Sequence, residues 1–105
     1  MTTDIEKALY DGSAPWKEIE YRTSTFWIFR EIGEPPDGYL CFVPTTKNMD
    51  CLFDAYRAAY KWGWDGVESG KWEGFNIMQS VGDVAGQGGK YPHIHMIPRR
   101  TGDME

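Results

Sequence analysis

Apolar and polar positions alternate in several stretches of this chain and follow a helical period in two others. Thr25 to Glu31 (TFWIFRE) is rich in aromatic and β-branched residues and predicts a strand. Tyr39 to Pro44 (YLCFVP) predicts a second, well-buried strand, and the two form an antiparallel pair. The intervening Gly33-Glu34-Pro35-Pro36-Asp37-Gly38 must be a loop, since its prolines and glycines break any ladder. Glu18 to Tyr21 can extend, Thr23-Ser24 reads as a turn, and Gly74 to Gln79 (GFNIMQ) predicts a further strand. Leu52, Phe53, Tyr56, Ala59 and Tyr60 share one face of a helix over about 50–61, capped by Asn48 or Asp50 and ended by Gly63. Ile5, Ala8 and Leu9 suit a shorter helix stopped by Asp11-Gly12 and Pro15. Trp64 to Trp72 is ambiguous between the two periods.

The last apolar stretch, Tyr91-Pro92-His93-Ile94-His95-Met96-Ile97-Pro98-Arg99-Arg100, holds both histidines of the chain. In an extended strand Tyr91, His93 and His95 share one face, with Pro92, Ile94 and Met96 on the other. Pro92 marks either the start of this strand or an edge position. Two imidazoles on one face can attack, bind a phosphate or hold a metal. The preceding Gly82-Asp83-Val84-Ala85-Gly86-Gln87-Gly88-Gly89 is a glycine-rich loop whose amides can converge on an anionic oxygen. By contrast, Ser69-Gly70-Lys71-Trp72 is no phosphate loop: Gly66 and Gly70 are too close for that motif, and Trp72 offers no hydroxyl for magnesium.

Composition narrows these options. The 105 residues suit one domain, and five Trp with six Tyr argue against disorder. A formal charge of −5 argues against general nucleic-acid binding. Lys90, Arg99 and Arg100 nevertheless bracket the histidines, so a local anion site is compatible with it. Cys41 and Cys51 form no CxxC and read as reduced thiols of a cytoplasmic protein. No leader-like or membrane-spanning apolar run is seen, so neither export nor a membrane partner is expected.

Taken together, Gly74-Phe75-Asn76-Ile77, Ala85-Gly86-Gln87, His93-Ile94-His95-Met96-Ile97-Pro98-Arg99 and Gly102-Asp103 resemble the tail of the histidine triad (HIT) family. Upstream, Asp11-Gly12 with Pro15, Phe26 to Glu31, and Pro36-Asp37-Gly38-Tyr39-Leu40-Cys41-Phe42-Val43-Pro44 are similar to earlier segments of that family, so the likeness spans nearly the whole chain. It implies a single α+β domain over 1–105, with an antiparallel sheet of about five strands, one longer helix and one short one. It also implies hydrolysis or transfer at the α-phosphorus of a purine nucleoside phosphoramidate or dinucleoside polyphosphate, through a nucleotidyl-histidine. His93 falls on the nucleophile and His95 on the phosphate ligand. Neutral imidazole is nucleophilic near pH 7, and its phosphoramidate is labile enough to hydrolyse.

Other roles follow from the same resemblance. Glu31 falls on the acidic residue that binds the ribose hydroxyls, with Phe29 and Ile32 as the nucleobase slot. Gln87, Gly88, Gly89 and Ser80 would line the phosphate site. Tyr91 replaces the family's first histidine but keeps its backbone carbonyl, which can orient the nucleophile. Ser80 stands where asparagine is common, and Gly88 where some branches carry serine or threonine. No cofactor and no structural metal are expected, because Asp4-Ile5-Glu6-Lys7 lacks the cysteines of zinc-binding branches. The partner would be a purine nucleotide or nucleotide conjugate, with a two-fold homodimer through the aromatic helix region as a further expectation. Trp27, Tyr56, Tyr60 and Phe75 are expected in the core, and the Trp62–Trp72 segment in packing or an interface. Two rivals stay open: a HIT-like nucleotide-binding module without turnover, and a small metal enzyme using the HxH pair with Asp83, Asp103 or Glu31 as third ligand.

Overall fold

Five strands carry the alternating segments, as seen in a computed structural model that describes residues 2–87 and 90–103. They are β1 (Ile19–Arg22), β2 (Phe26–Arg30), β3 (Leu40–Pro44), β4 (Gly74–Met78) and β5 (Ile94–Arg99). They form one antiparallel sheet in the order β1-β2-β3-β5-β4. Two helices, α1 (Asp4–Asp11) and α2 (Met49–Glu68), and a 3-10 turn at Asp83–Ala85 complete the α+β fold. No helix among the described residues is long and apolar enough to cross a membrane.

Period-two alternation divides the core into two layers. Ile28, Phe42, Ile94 and Met96 face α2 and pack on its Ala55 and Ala59. Phe29, Cys41, Val43 and Tyr91 face the other way, where Ile5 and Ala8 of α1 and Trp16 cover them. Each fully buried aromatic of this kind, such as Phe29 or Phe42, contributes about 1.5–3 kcal/mol. Helix α1 starts in a capping box between Thr3 and Glu6 and ends at Gly12, whose φ of 86° suits glycine. Its Ile5 amide donates to the Thr45 carbonyl at 3.1 Å, tying the helix to the end of β3.

Helix α2 departs from expectation. The Asn48 side chain does cap it, accepting from the Cys51 amide at 2.8 Å, but the helix runs through Gly63 to Glu68. Gly63 serves close packing instead of termination: a Cβ there would collide with the Phe75 ring, and one at Gly66 with Trp72. Trp72 seals this approach by donating from its indole to the Gly63 carbonyl at 2.9 Å. The buried face of α2 is accordingly one of small residues: Cys51, Ala55, Ala59, Gly63 and Gly66. Phe53, Tyr56, Tyr60 and Trp64 form a half-exposed stripe beside it, so Tyr56 and Tyr60 are not core residues.

The histidine strand is also repositioned. β5 begins at Ile94 and lies inside the sheet between β3 and β4, so Pro92 precedes the ladder and marks no edge.

Candidate active site

The face opposite α2 gathers the chemistry-bearing side chains. The register pairs Cys41 with both Phe29 of β2 and His95 of β5, so residues two apart from these partners meet on the same face. Tyr91, His93 and His95 do fall on this face, with His93 just ahead of β5.

His93 is 3% exposed, with Trp16 edge-on to its ring at 4.6 Å between centroids. Its Nδ1 lies 2.9 Å from the Tyr91 carbonyl oxygen. A carbonyl can only accept, so in the neutral ring Nδ1 carries the proton and Nε2 keeps the lone pair. The backbone thus sets the tautomer a nucleophile needs. The Tyr91 side chain itself turns into the core, is 1% exposed, and donates to the Pro44 carbonyl at 2.6 Å. It therefore contributes a carbonyl to the site and no phenol.

His95 packs against His93 at 4.7 Å between ring centroids. Its Nδ1 sits 3.0 Å from the Tyr39 hydroxyl, 3.2 Å from Glu31 Oε2 and 3.5 Å from Cys41 Sγ. Burial and the neighbouring His93 hold His95 below the usual imidazole range, with Glu31 opposing them. The Glu31 carboxylate can only accept, so its contact is a hydrogen bond when Nδ1 carries the proton, and the Tyr39 hydroxyl can donate to Nδ1 in the other tautomer.

Glu31 faces inward. Its Oε2 accepts from the Cys41 thiol at 3.0 Å and its Oε1 from the Ile32 amide at 2.9 Å. Burial pushes its carboxyl up, but those two bonds and the charges of His95 and His93 outweigh it and hold the group below the ordinary carboxylate value. Burial first, then the Glu31 charge, pushes the Tyr39 phenol up to about 12 and keeps the Cys41 thiol firmly protonated.

The other expected residues divide. Ile32 is exposed and lines a cleft of about 1220 Å³ together with Pro15, Lys17, Glu31, Pro35 and Tyr39. The histidines do not line this cleft; Glu31 and Tyr39 form the wall it shares with them. Phe29 is fully buried between Trp16 and Trp27, so it backs the site and opens no slot for a base. Gln87 spends its side chain within its own loop, accepting from the Gly82 amide at 2.7 Å and donating to the Lys90 carbonyl at 3.2 Å. Ser80 is half-buried two residues beyond Met78, the β4 partner of His95, and so lies toward the His93 end. Gly88 and Gly89 lie outside the described residues. The Arg99 guanidinium donates to the Asn76 side-chain oxygen and that of Arg100 to the Asp37 carbonyl.

Sequence reasoning missed Trp16, Tyr39 and Cys41 as site residues. Tyr39 and Cys41 were reachable, because Tyr39, just ahead of β3, and Cys41 within it are two residues apart and so share the face that meets His95. Trp16 carried no periodic signal. Among the described residues, Glu31, Cys41 and His95 alone bring three metal-ligand donors together. His93, Asp83 and Asp103 do not join them, which removes the metal site built on both histidines.

No protein-family profile and no curated protein matches this chain. Solved structures do match. A HIT-like protein from Bartonella henselae aligns with a TM-score of 0.74 and 20% identity over 95% of this chain and 80% of its own. A zinc-bound histidine triad family protein from Mycobacterium smegmatis aligns at 0.75 with 22% identity, covering 94% and 76%. Diadenosine triphosphate hydrolase from Plasmodium falciparum aligns at 0.70 with 21% identity, covering 84% and 65%. The chain has the fold of HIT proteins.

Proposed function

We propose that this protein binds a nucleotide and acts at its α-phosphorus, with His93 as the nucleophile. The observation that carries this reading is the 2.9 Å contact from His93 Nδ1 to the Tyr91 carbonyl, which leaves Nε2 as the attacking nitrogen. His93 Nε2 forms a bond to phosphorus while the bond to the leaving group breaks. The leaving amine or phosphate takes a proton from solvent, and His95 serves as a ligand to the phosphate oxygens. Water then attacks phosphorus, the Nε2–P bond breaks, and the nucleoside monophosphate leaves. Ser80, Gly88 and Gly89 stand as the remaining phosphate contacts, oriented donors being a main source of rate in such transfers.

The nucleotide body would lie in the cleft beside Ile32 and Pro35, which is large enough for a dinucleoside polyphosphate. The fold shared with a diadenosine triphosphate hydrolase supports that substrate class. Glu31 reaches the ribose diol only by releasing Cys41 and His95, since both its oxygens are engaged. A two-fold dimer through the aromatic stripe of α2 completes the proposal.

Adenosine 5′-phosphoramidate tests it. The wild type should release AMP, and His93→Ala should lose that release by at least about a thousandfold, as removal of a nucleophile does. Undiminished release from His93→Ala would sink the assignment. AMP binding without turnover in the wild type would favour a nucleotide-binding module, the reading that the closely packed His93 supports next best.

A further inference from the structure

Glu31, Cys41 and His95 come from the end of β2, from β3 and from β5, and the sheet register converges them on one point. Their donor atoms form a triangle: Glu31 Oε2 to His95 Nδ1 is 3.2 Å, Cys41 Sγ to His95 Nδ1 is 3.5 Å, and Cys41 Sγ to Glu31 Oε2 is 3.0 Å. Tetrahedral zinc, with Zn–S of about 2.3 Å and Zn–N and Zn–O of about 2.0–2.1 Å, requires edges of about 3.3 Å between N and O and about 3.5 Å from S to either. Two of the three edges already match. The third is short by about half an ångström, and it is the one now bridged by the thiol proton, which a metal would displace.

Charge and hardness agree with the geometry. A thiolate and a carboxylate neutralise a dication, and a neutral imidazole completes the set without adding charge. Sulfur and imidazole donors disfavour magnesium and calcium, which prefer oxygen. Cys41 is fully buried, whereas Glu31 and Tyr39 line the cleft and give an ion a route in.

We propose that Glu31, Cys41 and His95 form a binding site for a borderline-soft divalent ion, zinc foremost, with a fourth position open to an oxygen ligand from the cleft. Binding releases the Cys41 proton to solvent and holds His95 through Nδ1, leaving its proton on Nε2. The site does not depend on the nucleotide reading, because these donors meet whether or not His93 turns over.

Cobalt titration of the reduced, EDTA-treated full chain tests this without any activity assay. One equivalent of Co²⁺ should give the visible bands of a tetrahedral ion and a thiolate-to-cobalt charge-transfer band, and Zn²⁺ should abolish both. Cys41→Ser should lose the charge-transfer band, whereas Cys51→Ser should keep it. Glu31→Gln and His95→Gln should each weaken Co²⁺ binding by at least about tenfold, since a tetrahedral site cannot spare one of three protein donors. Absence of a stoichiometric spectral change overturns the proposal, as does a charge-transfer band that persists in Cys41→Ser. Circular dichroism checks that Cys41→Ser is folded. If it is not, unchanged Co²⁺ affinity in folded His95→Gln overturns the proposal by itself.

Discussion

Tyr91 separates two contributions of one residue. Its carbonyl fixes the His93 tautomer, and its phenol anchors the start of the histidine segment to Pro44. Any residue supplies a carbonyl, so a tyrosine at this position provides the orienting contact. Tyr91→Phe removes only the buried phenol and leaves the Pro44 carbonyl short of a donor, which costs about 1–3 kcal/mol. Urea unfolding should register that loss, while phosphoramidate turnover per folded molecule persists. Loss of turnover in folded Tyr91→Phe would show that the phenol itself belongs to the chemistry. The neighbouring Trp16 packs edge-on against His93 and is also almost fully buried, so its substitution should affect stability and turnover together.

Among the elements, α2 shows most clearly how local and tertiary rules compete. Glycine usually lowers helix stability by about 1 kcal/mol relative to alanine, so Gly63→Ala would stabilise an isolated helix. Here the added methyl meets the Phe75 ring, and overpacking costs about 1–3 kcal/mol. A thermal melt of Gly63→Ala should therefore show a lower Tm; a higher one would mean that Phe75 moves aside freely. The same competition explains what could be read from the chain. Strands β2 and β3, helix α1 and the Asn48 cap follow from local pattern and were legible. The end of α2 was not, because Gly63 and Gly66 answer to Trp72 and Phe75 across the fold. The exposure of Tyr56 and Tyr60 was hidden for a related reason: helical period marks an apolar arc, but the small residues within it decide which part meets the sheet. Likewise, the histidine pair stood out in sequence, whereas the contacts of His95 with Tyr39, Cys41 and Glu31 required the β3–β5 register, a long-range pairing.

For the whole molecule, the sheet separates two surfaces of different character. One side carries the histidines and the cleft entrance at Glu31 and Tyr39; the other carries α2 with its aromatic stripe. Four large side chains, each about half exposed along one helix, form an apolar patch of the kind that marks an interface. Sedimentation should find wild-type dimers and a monomer for the Tyr60→Lys/Trp64→Lys double variant. An unchanged dimer in that variant would place the interface elsewhere. The formal charge of −5 leaves phosphate binding to local donors, because long-range attraction of a polyphosphate is weak at best.

The most direct test of the central claim is to trap the covalent intermediate. Wild-type protein mixed with adenosine 5′-phosphoramidate, quenched under alkaline conditions and digested for mass spectrometry, should carry an adenylyl group on the peptide containing His93. Fragmentation should assign it to that histidine, and His93→Ala should carry none. AMP release that proceeds with no adduct, or with the adenylyl group on His95 instead, would contradict the account.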